Sequence, residues 1–188
     1  MIDQDTTFTT IKLLAAQALR GYSIEALLPM LKDSDPIVRT LVARELQVRG
    51  GEEVFCYAKE LIASHRFEHR EIAAFLLGQL DTPHLSFRKH SLPLLEQLLD
   101  DKYFEVKGAA VAALGHLNAS QLASKIISLA SSDEDYVREN VAFALSCIDL
   151  NKDDLKTLRK LKKDSNPDVS DWAEFALKEH KRKTSEST

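Results

Sequence analysis

Residues 137–145 read Val-Arg-Glu-Asn-Val-Ala-Phe-Ala-Leu, and this pattern recurs along the chain. Looser copies begin at Val38, His69, Val106 and Val169, so the first residues of successive copies lie 31, 37, 31 and 32 positions apart. Each copy places apolar residues at helical spacing, and a repeat period near 31 is typical of stacked two-helix units. The sequence therefore predicts an all-α solenoid.

The repeat copies divide the chain into five predicted pairs of helices. The pairs are residues 24–32 with 36–49, 52–63 with 66–80, 87–99 with 103–117, 120–130 with 135–148, and 152–163 with 167–180. Two second helices are expected to begin at a side-chain N-cap followed by proline, at Asp35-Pro36 and at Asn166-Pro167. No segment alternates with period two over a useful length, so we predict no strands.

The ends of the chain and one insertion depart from the repeat. Residues 6–20 are predicted to form a capping helix within an N-terminal cap of residues 1–22, and the repeats of a single solenoid domain are expected in residues 23–180. Residues 81–86 account for the 37-residue step and predict a longer loop. Residues 181–188 contain no apolar side chain and are predicted to be a disordered tail.

The composition restricts the possible functions. The chain has 188 residues, a net charge of −4 and a pI of about 5.9, which argues against the concentrated basic surface that nucleic-acid binding requires. Its first residues lack the pattern of a signal peptide, and no apolar run approaches the roughly 20 residues of a membrane span. We therefore expect a soluble, cytoplasmic protein. Cys56 and Cys147 are interpreted as buried free thiols, with a disulfide as the alternative.

A longer signature in these repeats resembles a known family. The pattern Val-Arg-x-x-Ala-Ala-x-Ala-Leu-Gly after an Asp-Pro turn resembles HEAT repeats of the phycobilisome-lyase type, over roughly residues 23–180. Residues 106–115 and 137–145 fit best, whereas residues 69–77 lack the first Val and residues 169–177 lack the Arg. The resemblance implies an α-solenoid, but such repeats serve many functions.

Three short stretches resemble a narrower group. Residues 46–51 (Leu-Gln-Val-Arg-Gly-Gly), 74–80 (Ala-Phe-Leu-Leu-Gly-Gln-Leu) and 171–176 (Asp-Trp-Ala-Glu-Phe-Ala) are similar to a bacterial HEAT-repeat protein encoded beside Rhs elements. Members of that group are regarded as immunity proteins, which neutralise a toxin domain by binding it. The resemblance implies a bacterial protein whose partner is another protein.

The repeat pattern also predicts a binding face. With the first residue of each copy numbered zero, positions three, four, seven and eight form the apolar stripe, and positions two, six and nine lie on the opposite side. In solenoids that resemble HEAT repeats, the second helices line the concave surface. The predicted partner-binding residues on this surface are Arg44, Glu71, Phe75, Gly108, Ala112, Glu139, Phe143, Asp171 and Phe175.

The three phenylalanines in this set each follow an acid by four residues, so a ring and a carboxylate would stand side by side on the helix. Such a row is a plausible protein-binding surface, but each ring could instead pack between neighbouring helices as core. The sequence leaves this choice open. The small residues Gly108 and Ala112 would leave a depression between the aromatic rows.

Two further sets of residues allow a structural or a binding interpretation. Position one is basic, with Arg39, Arg70, Lys107 and Arg138. We expect these side chains to hold the repeats together through turn acids such as Asp35 and Asp135, and anion binding is the alternative. Trp172, the single tryptophan, is expected in the core or in a C-terminal cap rather than in contact with a ligand.

No arrangement of residues in the sequence predicts catalysis. His65 and His69 are four residues apart, but neither a Glu-x-x-His partner nor a cysteine cluster accompanies them, so we expect no metal and no cofactor. The chain has no glycine-rich phosphate loop and no Gly-x-Ser-x-Gly nucleophile turn. We predict that the protein is not an enzyme.

The resulting hypothesis is a protein-binding scaffold, specifically an immunity-like protein that holds a basic toxin domain in an acidic groove lined by phenylalanine. The free protein is expected to be a monomer that binds neither nucleic acid nor membranes. The alternative hypothesis is an enzyme built from similar repeats, either a lyase or chaperone for a chromophore or a glycosylase of DNA repair. Duplex DNA binding at low salt, or retention of a coloured bilin, would favour the alternative.

Overall fold

The structure, a computed structural model, describes residues 4–186, with the side chains of residues 9–151, 154–182 and 184. The helices of this part are α1 (Gln4–Leu19), α2 (Ile24–Leu27), α3 (Pro36–Arg49), α4 (Glu52–Ile62), α5 (Phe67–Gly78), α6 (Arg88–Leu98), α7 (Phe104–His116), α8 (Ala123–Ser128), α9 (Asp135–Cys147), α10 (Lys152–Leu161) and α11 (Pro167–Glu186). A 3-10 segment, Leu28–Lys32, follows α2, and another, Ser120–Leu122, precedes α8. No strand occurs within residues 4–186, and the predicted all-α solenoid is confirmed.

The helices form two layers. The second helices of the five pairs, α3, α5, α7, α9 and α11, lie side by side in chain order, and the first helices α2, α4, α6, α8 and α10 cover one side of them. The core between the layers includes the fully buried side chains of Leu31, Leu46, Leu61, Leu77, Leu95, Leu114, Ile126 and Leu145. Burial of this apolar surface is the main stabilising contribution. The other side of the second-helix layer, here called the second-helix face, has no helix layer over it in the described residues.

Two glycines allow neighbouring second helices to approach closely. A Cβ atom on Gly78 would lie 2.8 Å from the Cα atom of Ala113, and one on Gly115 would lie 2.7 Å from the Cα atom of Ala144. Both glycines occupy position nine, which the sequence pattern assigns to the second-helix face. That assignment is wrong, because position nine lies on the flank of each helix, where the next second helix packs.

The two predicted side-chain N-caps are confirmed. Two predicted first helices are α-helical over only part of their length, over Ile24–Leu27 in the first repeat and over Ala123–Ser128 in the fourth. The side chains of Asp35 and Asn166 each accept a backbone N–H at the start of a second helix, at 2.8 and 2.9 Å. The α-helical part of the first repeat ends at Leu27 and continues as a 3-10 segment. Pro29 accounts for this change, because it has no N–H to continue the α-helical hydrogen bonds.

Arginines at position one join successive repeats. Arg70 donates to both carboxylate oxygens of Asp101, at 2.6 and 2.9 Å, and to the carbonyl oxygen of Ser64 at 2.8 Å. Arg138 bonds both carboxylate oxygens of Asp164 in the same way, at 2.7 and 3.0 Å. Each carboxylate belongs to the turn of the next repeat, so the two arginines have the structural role that the sequence suggested.

The predicted acid partners of these arginines are wrong. Asp35 caps α3, and the carboxylate of Asp135 accepts a hydrogen bond from the Asn166 side chain at 2.8 Å. The carboxylates that do pair with the arginines, Asp101 and Asp164, lie five residues before the first residue of a repeat copy. The residues at this position in the five copies are Asp33, Ser64, Asp101, Ser132 and Asp164. Since the next repeat offers Ser64 to Arg39 and Ser132 to Lys107, these two cations lack the corresponding carboxylate. In the described residues Arg39 donates only to the carbonyl oxygens of Asp33 and Ser34.

The N-terminal helix packs on the first repeat but leaves several of its apolar side chains exposed. α1 contacts α3, and the Arg49 guanidinium donates to the carbonyl oxygen of Leu19 at 2.9 Å, which anchors the end of α1. Ile11, Leu13 and Leu14 are nevertheless 58%, 61% and 61% exposed. α1 therefore covers α3 only in part, and Phe8 has a side chain outside the described set.

The predicted disordered tail is helical as far as the structure describes it. α11 continues to Glu186, and residues 187 and 188 lie outside the described residues. The segment has no apolar side chain to bury, but Lys, Arg and Glu favour helices, and Arg182 pairs with Glu179 at 2.9 Å within one helical turn. The predicted loop at residues 81–86 does lie between α5 and α6.

Both cysteines are free, but they are less buried than predicted. Cys56 is exposed on α4, where Val54, Phe55 and Ala58 point to the core instead, and Cys147 is half-buried.

Among the described residues, no helix has the length and apolar character needed to cross a bilayer.

Candidate functional site

A cleft of about 300 Å³ opens on the second-helix face. It reaches across four consecutive second helices, from α3 to α9. The lining residues are Pro36, Arg39, Thr40, Glu71, Ile72, Phe75, Gln79, Ala109, Ala112, Ala113, His116, Tyr136 and Asn140. Apolar and aromatic side chains provide most of this surface, with a few polar groups among them, as is usual in binding clefts.

The residues predicted to bind a partner are distributed over several parts of this face, apart from Gly108, which is buried. Glu139 and Phe143 are half-buried on α9. Glu71, Phe75 and Ala112 line the cleft itself. Arg44 lies at the other side of α3, in two shallow grooves between α3 and α1. Asp171 and Phe175 line a separate depression on α11. Their role in binding stays a prediction.

Gly108 does not form the open depression that the sequence suggested. The glycine is buried, and a Cβ atom on it would lie 2.3 Å from the Cε1 atom of Tyr136. The Tyr136 ring therefore covers the backbone of α7 at this point and also packs edge-to-face on Phe104, with the ring centroids 6.4 Å apart. The depression lies one helical turn further along α7, at Ala112.

Aromatic rings continue the second-helix face from the cleft to the C-terminal end. His116 contacts Phe143 with centroids 5.0 Å apart, Phe143 contacts Trp172 at 5.1 Å, and Trp172 contacts Phe175 at 5.7 Å. All three contacts are edge-to-face, the arrangement that aromatic quadrupoles favour. These four residues are here called the aromatic ridge. The half-buried Trp172 packs against the core, as expected, and its ring also borders the depression on α11.

The last of the three phenylalanines is the most exposed. Phe75 and Phe143 are half-buried, and Phe75 packs against the hydrophobic core. Phe175 is 48% exposed. The row is therefore neither fully core nor fully exposed: the last ring has no following second helix in the described residues, whereas the earlier ones are flanked by neighbours on both sides.

The cleft has a negative electrostatic environment. Burial raises the pKa of Glu71 above its ordinary value, and nearby Glu105 raises it further, while Arg39 opposes the shift. Burial likewise raises the pKa of Glu139. The pKa of Tyr136 is raised by burial and then by the charge of Glu71. Glu71, Glu105 and Glu139 thus all place negative charge in or beside the cleft, and the Arg39 guanidinium opposes the shift at Glu71.

Burial favours the neutral form of the one histidine in the aromatic ridge. The pKa of His116 is lowered, because desolvation disfavours the charged imidazolium.

Several residues that line the cleft were not predicted from the sequence. The side of each second helix that faces the cleft is rotated about the helix axis relative to the side that the repeat pattern predicts. Tyr136 lies at position minus one, Asn140 at position three, and Gln79 and His116 at position ten. At about 100° per residue, these positions and positions two and six cover one continuous stripe of about 100°, whereas position nine lies outside it. The aromatic and amide side chains at positions minus one and ten were the features of the sequence that could have identified this side of the helix.

No group of three His, Cys, Asp or Glu side chains in the described residues is arranged to hold a metal ion. His69 is buried, and its Nδ1 atom lies 3.0 Å from the Ser64 hydroxyl, while His65 is exposed. The two histidines are thus in different environments. The described residues of the cleft likewise contain no glycine-rich phosphate loop and no cysteine.

A stack of two-helix repeats, with second helices side by side and first helices on one side of them, defines an α-solenoid, the fold that HEAT and armadillo repeats share. A family model of HEAT repeats matches residues 91–178. This range covers repeats three to five apart from the first residues of the third and the last residues of the fifth, and it includes residues 106–115 and 137–145, the copies that fit the repeat pattern best.

The chain is also similar to a curated protein from Escherichia coli. It is 29% identical over 159 residues to Protein YibA of strain K12, and it has the same identity to Protein YibA of strain O157:H7. The match covers 81% of this chain and 56% of YibA, so the chain spans little more than half the length of these relatives. The crystal structure of E. coli YibA superimposes with a TM-score of 0.81 and 26% identity, over 90% of this chain and 63% of that one.

Solved structures of engineered solenoids resemble the fold at lower sequence identity. A designed armadillo repeat protein in complex with the peptide (KR)4 has a TM-score of 0.59 and 17% identity, and the match covers 95% of both chains. At this identity the likeness concerns the fold alone.

Proposed function

We propose that the protein is a non-catalytic scaffold that binds a protein partner on its second-helix face. The observation that carries the proposal is the cleft across α3, α5, α7 and α9, which continues into the aromatic ridge. Clefts with apolar and aromatic walls and a few polar groups favour ligand contact, and exposed aromatic rings are frequent anchors of protein interfaces. Repeat solenoids commonly use this extended inner surface for binding.

The negative environment of the cleft favours a basic partner. Glu71, Glu105 and Glu139 lie in or beside it, and charge complementarity accelerates association and selects partners. A designed armadillo repeat protein with a similar fold is in complex with the basic peptide (KR)4, which illustrates that a solenoid of this kind can hold a basic chain. The same negative charge opposes the binding of DNA or RNA.

A more specific form of the proposal is that the partner is a basic toxin domain, which the protein neutralises in the bacterial cytoplasm. The support for this form is the resemblance of three sequence stretches to Rhs-associated immunity proteins, together with the negative cleft. A monomeric free protein fits this role, because a second copy on the second-helix face would compete with the toxin.

The test is capture of partners by the tagged protein in its own cells, with mass spectrometry of the bound fraction. Phe175→Ser removes the most exposed ring of the aromatic ridge, and Glu60→Gln changes an exposed residue on the first-helix side as a matched control. We expect one stoichiometric protein that is retained by Glu60→Gln and lost, or weakened at least tenfold, with Phe175→Ser. The same proteins bound by both variants at equal levels would contradict a partner site on this face.

A further inference from the structure

We infer that the cleft on the second-helix face receives a single lysine or arginine side chain of the partner, with its cationic group at Glu71 and its aliphatic stem between Phe75 and Tyr136. This inference rests on the proposed function, because the side chain belongs to the bound protein. It identifies one position within the larger face as a specificity pocket for a cation.

The unpartnered carboxylate of Glu71 is the first observation. Glu71 is half-buried in the cleft wall and makes no hydrogen bond and no ion pair within the described residues. The nearby guanidinium of Arg39 attracts its charge but donates its hydrogen bonds to two carbonyl oxygens of its own turn. The structural carboxylates of comparable burial, Asp101 and Asp164, are both held by an arginine through two hydrogen bonds. A partly desolvated carboxylate without a partner is costly, and a cation from outside would supply the missing interaction.

The charges around the cleft favour a cation over an anion. The Oε2 atom of Glu105 is buried without a hydrogen-bond partner in the described structure, and Glu139 adds a third negative group on α9. Arg39 is the one cation among the described residues that line the cleft, and its Nη1 atom donates to two carbonyl oxygens of its own turn. The negative groups therefore exceed the positive ones, and an incoming anion would meet repulsion.

The shape and the walls of the cleft fit a long side chain with an apolar stem. Its volume of about 300 Å³ accommodates one lysine or arginine together with the adjoining backbone. The aromatic rings of Phe75 and Tyr136 belong to the walls, and Ala112 forms the small residue between them. Lysine and arginine bury their methylene groups against apolar surface and place their charge against carboxylates or aromatic faces. A neutral apolar side chain would leave Glu71 without a partner.

The experiment measures binding of a fluorescent peptide of four Lys-Arg pairs by anisotropy, with a peptide of four Asp-Glu pairs as the anionic control. Glu71→Gln removes the charge while keeping the shape, and Ala112→Leu fills the cleft without changing any charge. Glu60→Gln removes an equal charge on the first-helix side. Circular dichroism verifies that each variant has the helix content of the wild type.

We expect saturable binding of the Lys-Arg peptide and none of the Asp-Glu peptide. The affinity should fall at least tenfold in Glu71→Gln and in Ala112→Leu, and it should stay within twofold in Glu60→Gln. Absence of binding, or equal binding by the wild type and both cleft variants, would overturn the inference.

The experiments distinguish failure of the proposed function from failure of the inference that the cleft binds a cationic side chain. If the captured cellular partner is lost with Phe175→Ser but bound normally by Ala112→Leu, the second-helix face is the binding site and the cation pocket is wrong. If Phe175→Ser and Glu60→Gln capture identical proteins, the proposed function itself is wrong.

Discussion

Arg70 contacts two repeats at once. Its guanidinium donates to the carbonyl oxygen of Ser64 in its own turn and to both carboxylate oxygens of Asp101 in the next turn. The side chains of Arg70 and Asp101 are only 11% and 9% exposed, so the pair is poorly screened by water. Bidentate, charge-assisted bonds of this kind fix the geometry between repeats as well as contributing stability.

A double-mutant cycle on Arg70 and Asp101, with alanine at each position, should give a coupling energy of about 1–3 kcal/mol, which is the range for hydrogen bonds to charged groups. The exposed pair Lys125 and Glu96 serves as the control and should couple by less than about 1 kcal/mol, because solvent screens it. Urea unfolding measures both cycles. Equal coupling in the two cycles would show that the buried pair has no special role.

The three glycines within second helices differ in what lies opposite them, either the backbone of the next helix or a side chain. Gly78 and Gly115 face the backbone of the next second helix, whereas Gly108 faces the ring of Tyr136, which is 37% exposed. A backbone cannot move without separating two helices, but a surface ring can rotate outward. An added methyl group should therefore be tolerated at Gly108 but not at Gly78 or Gly115.

Gly78→Ala and Gly115→Ala should each lower the melting temperature. The overpacking cost of about 1–3 kcal/mol exceeds the roughly 1 kcal/mol that alanine gains in helix propensity. Gly108→Ala should be close to neutral or slightly stabilising, because the Tyr136 ring can give way. Differential scanning calorimetry of the three variants checks this order, and a Gly108→Ala variant less stable than the other two would contradict it.

At the scale of the whole molecule, stability is distributed along a line of neighbouring repeats. Each second helix contacts the helices before and after it, so a central helix such as α7 has neighbours on both sides. α1 contacts α3 at one end of the stack and leaves Ile11, Leu13 and Leu14 exposed. In such a linear array the ends open at lower free energy than the centre.

Hydrogen exchange followed by mass spectrometry should therefore show α1 exchanging first and α7 and α9 last. The peptides from Gln4–Leu19 should reach full exchange while those from Phe104–His116 remain protected. The matched comparison is α5, another inner second helix, which should exchange at a rate close to that of α7. Uniform exchange across the chain would indicate one cooperative unit instead of a nearest-neighbour array.

The sequence by itself determined the repeat architecture of this protein. Helix propensity, apolar spacing, Asp-Pro and Asn-Pro caps and a period near 31 are local properties, and the helices start close to where those signals lie. The same local rules identified Glu71, Phe75 and Ala112, which line the cleft. Each of these residues was found because its position within one helix is enough to predict the direction of its side chain.

Only the tertiary structure decided how those helices share their surfaces. The stacking of second helices buried position nine at Gly78 and Gly115 and placed Tyr136 over Gly108. It also paired Arg70 with Asp101, an acid 31 residues away in the turn of the next repeat. The physical reason is that lateral contact between helices depends on side-chain volumes in two repeats at once. The periodic pattern of one helix predicts the direction in which a side chain points, but it does not predict which residue of the neighbouring helix that side chain contacts.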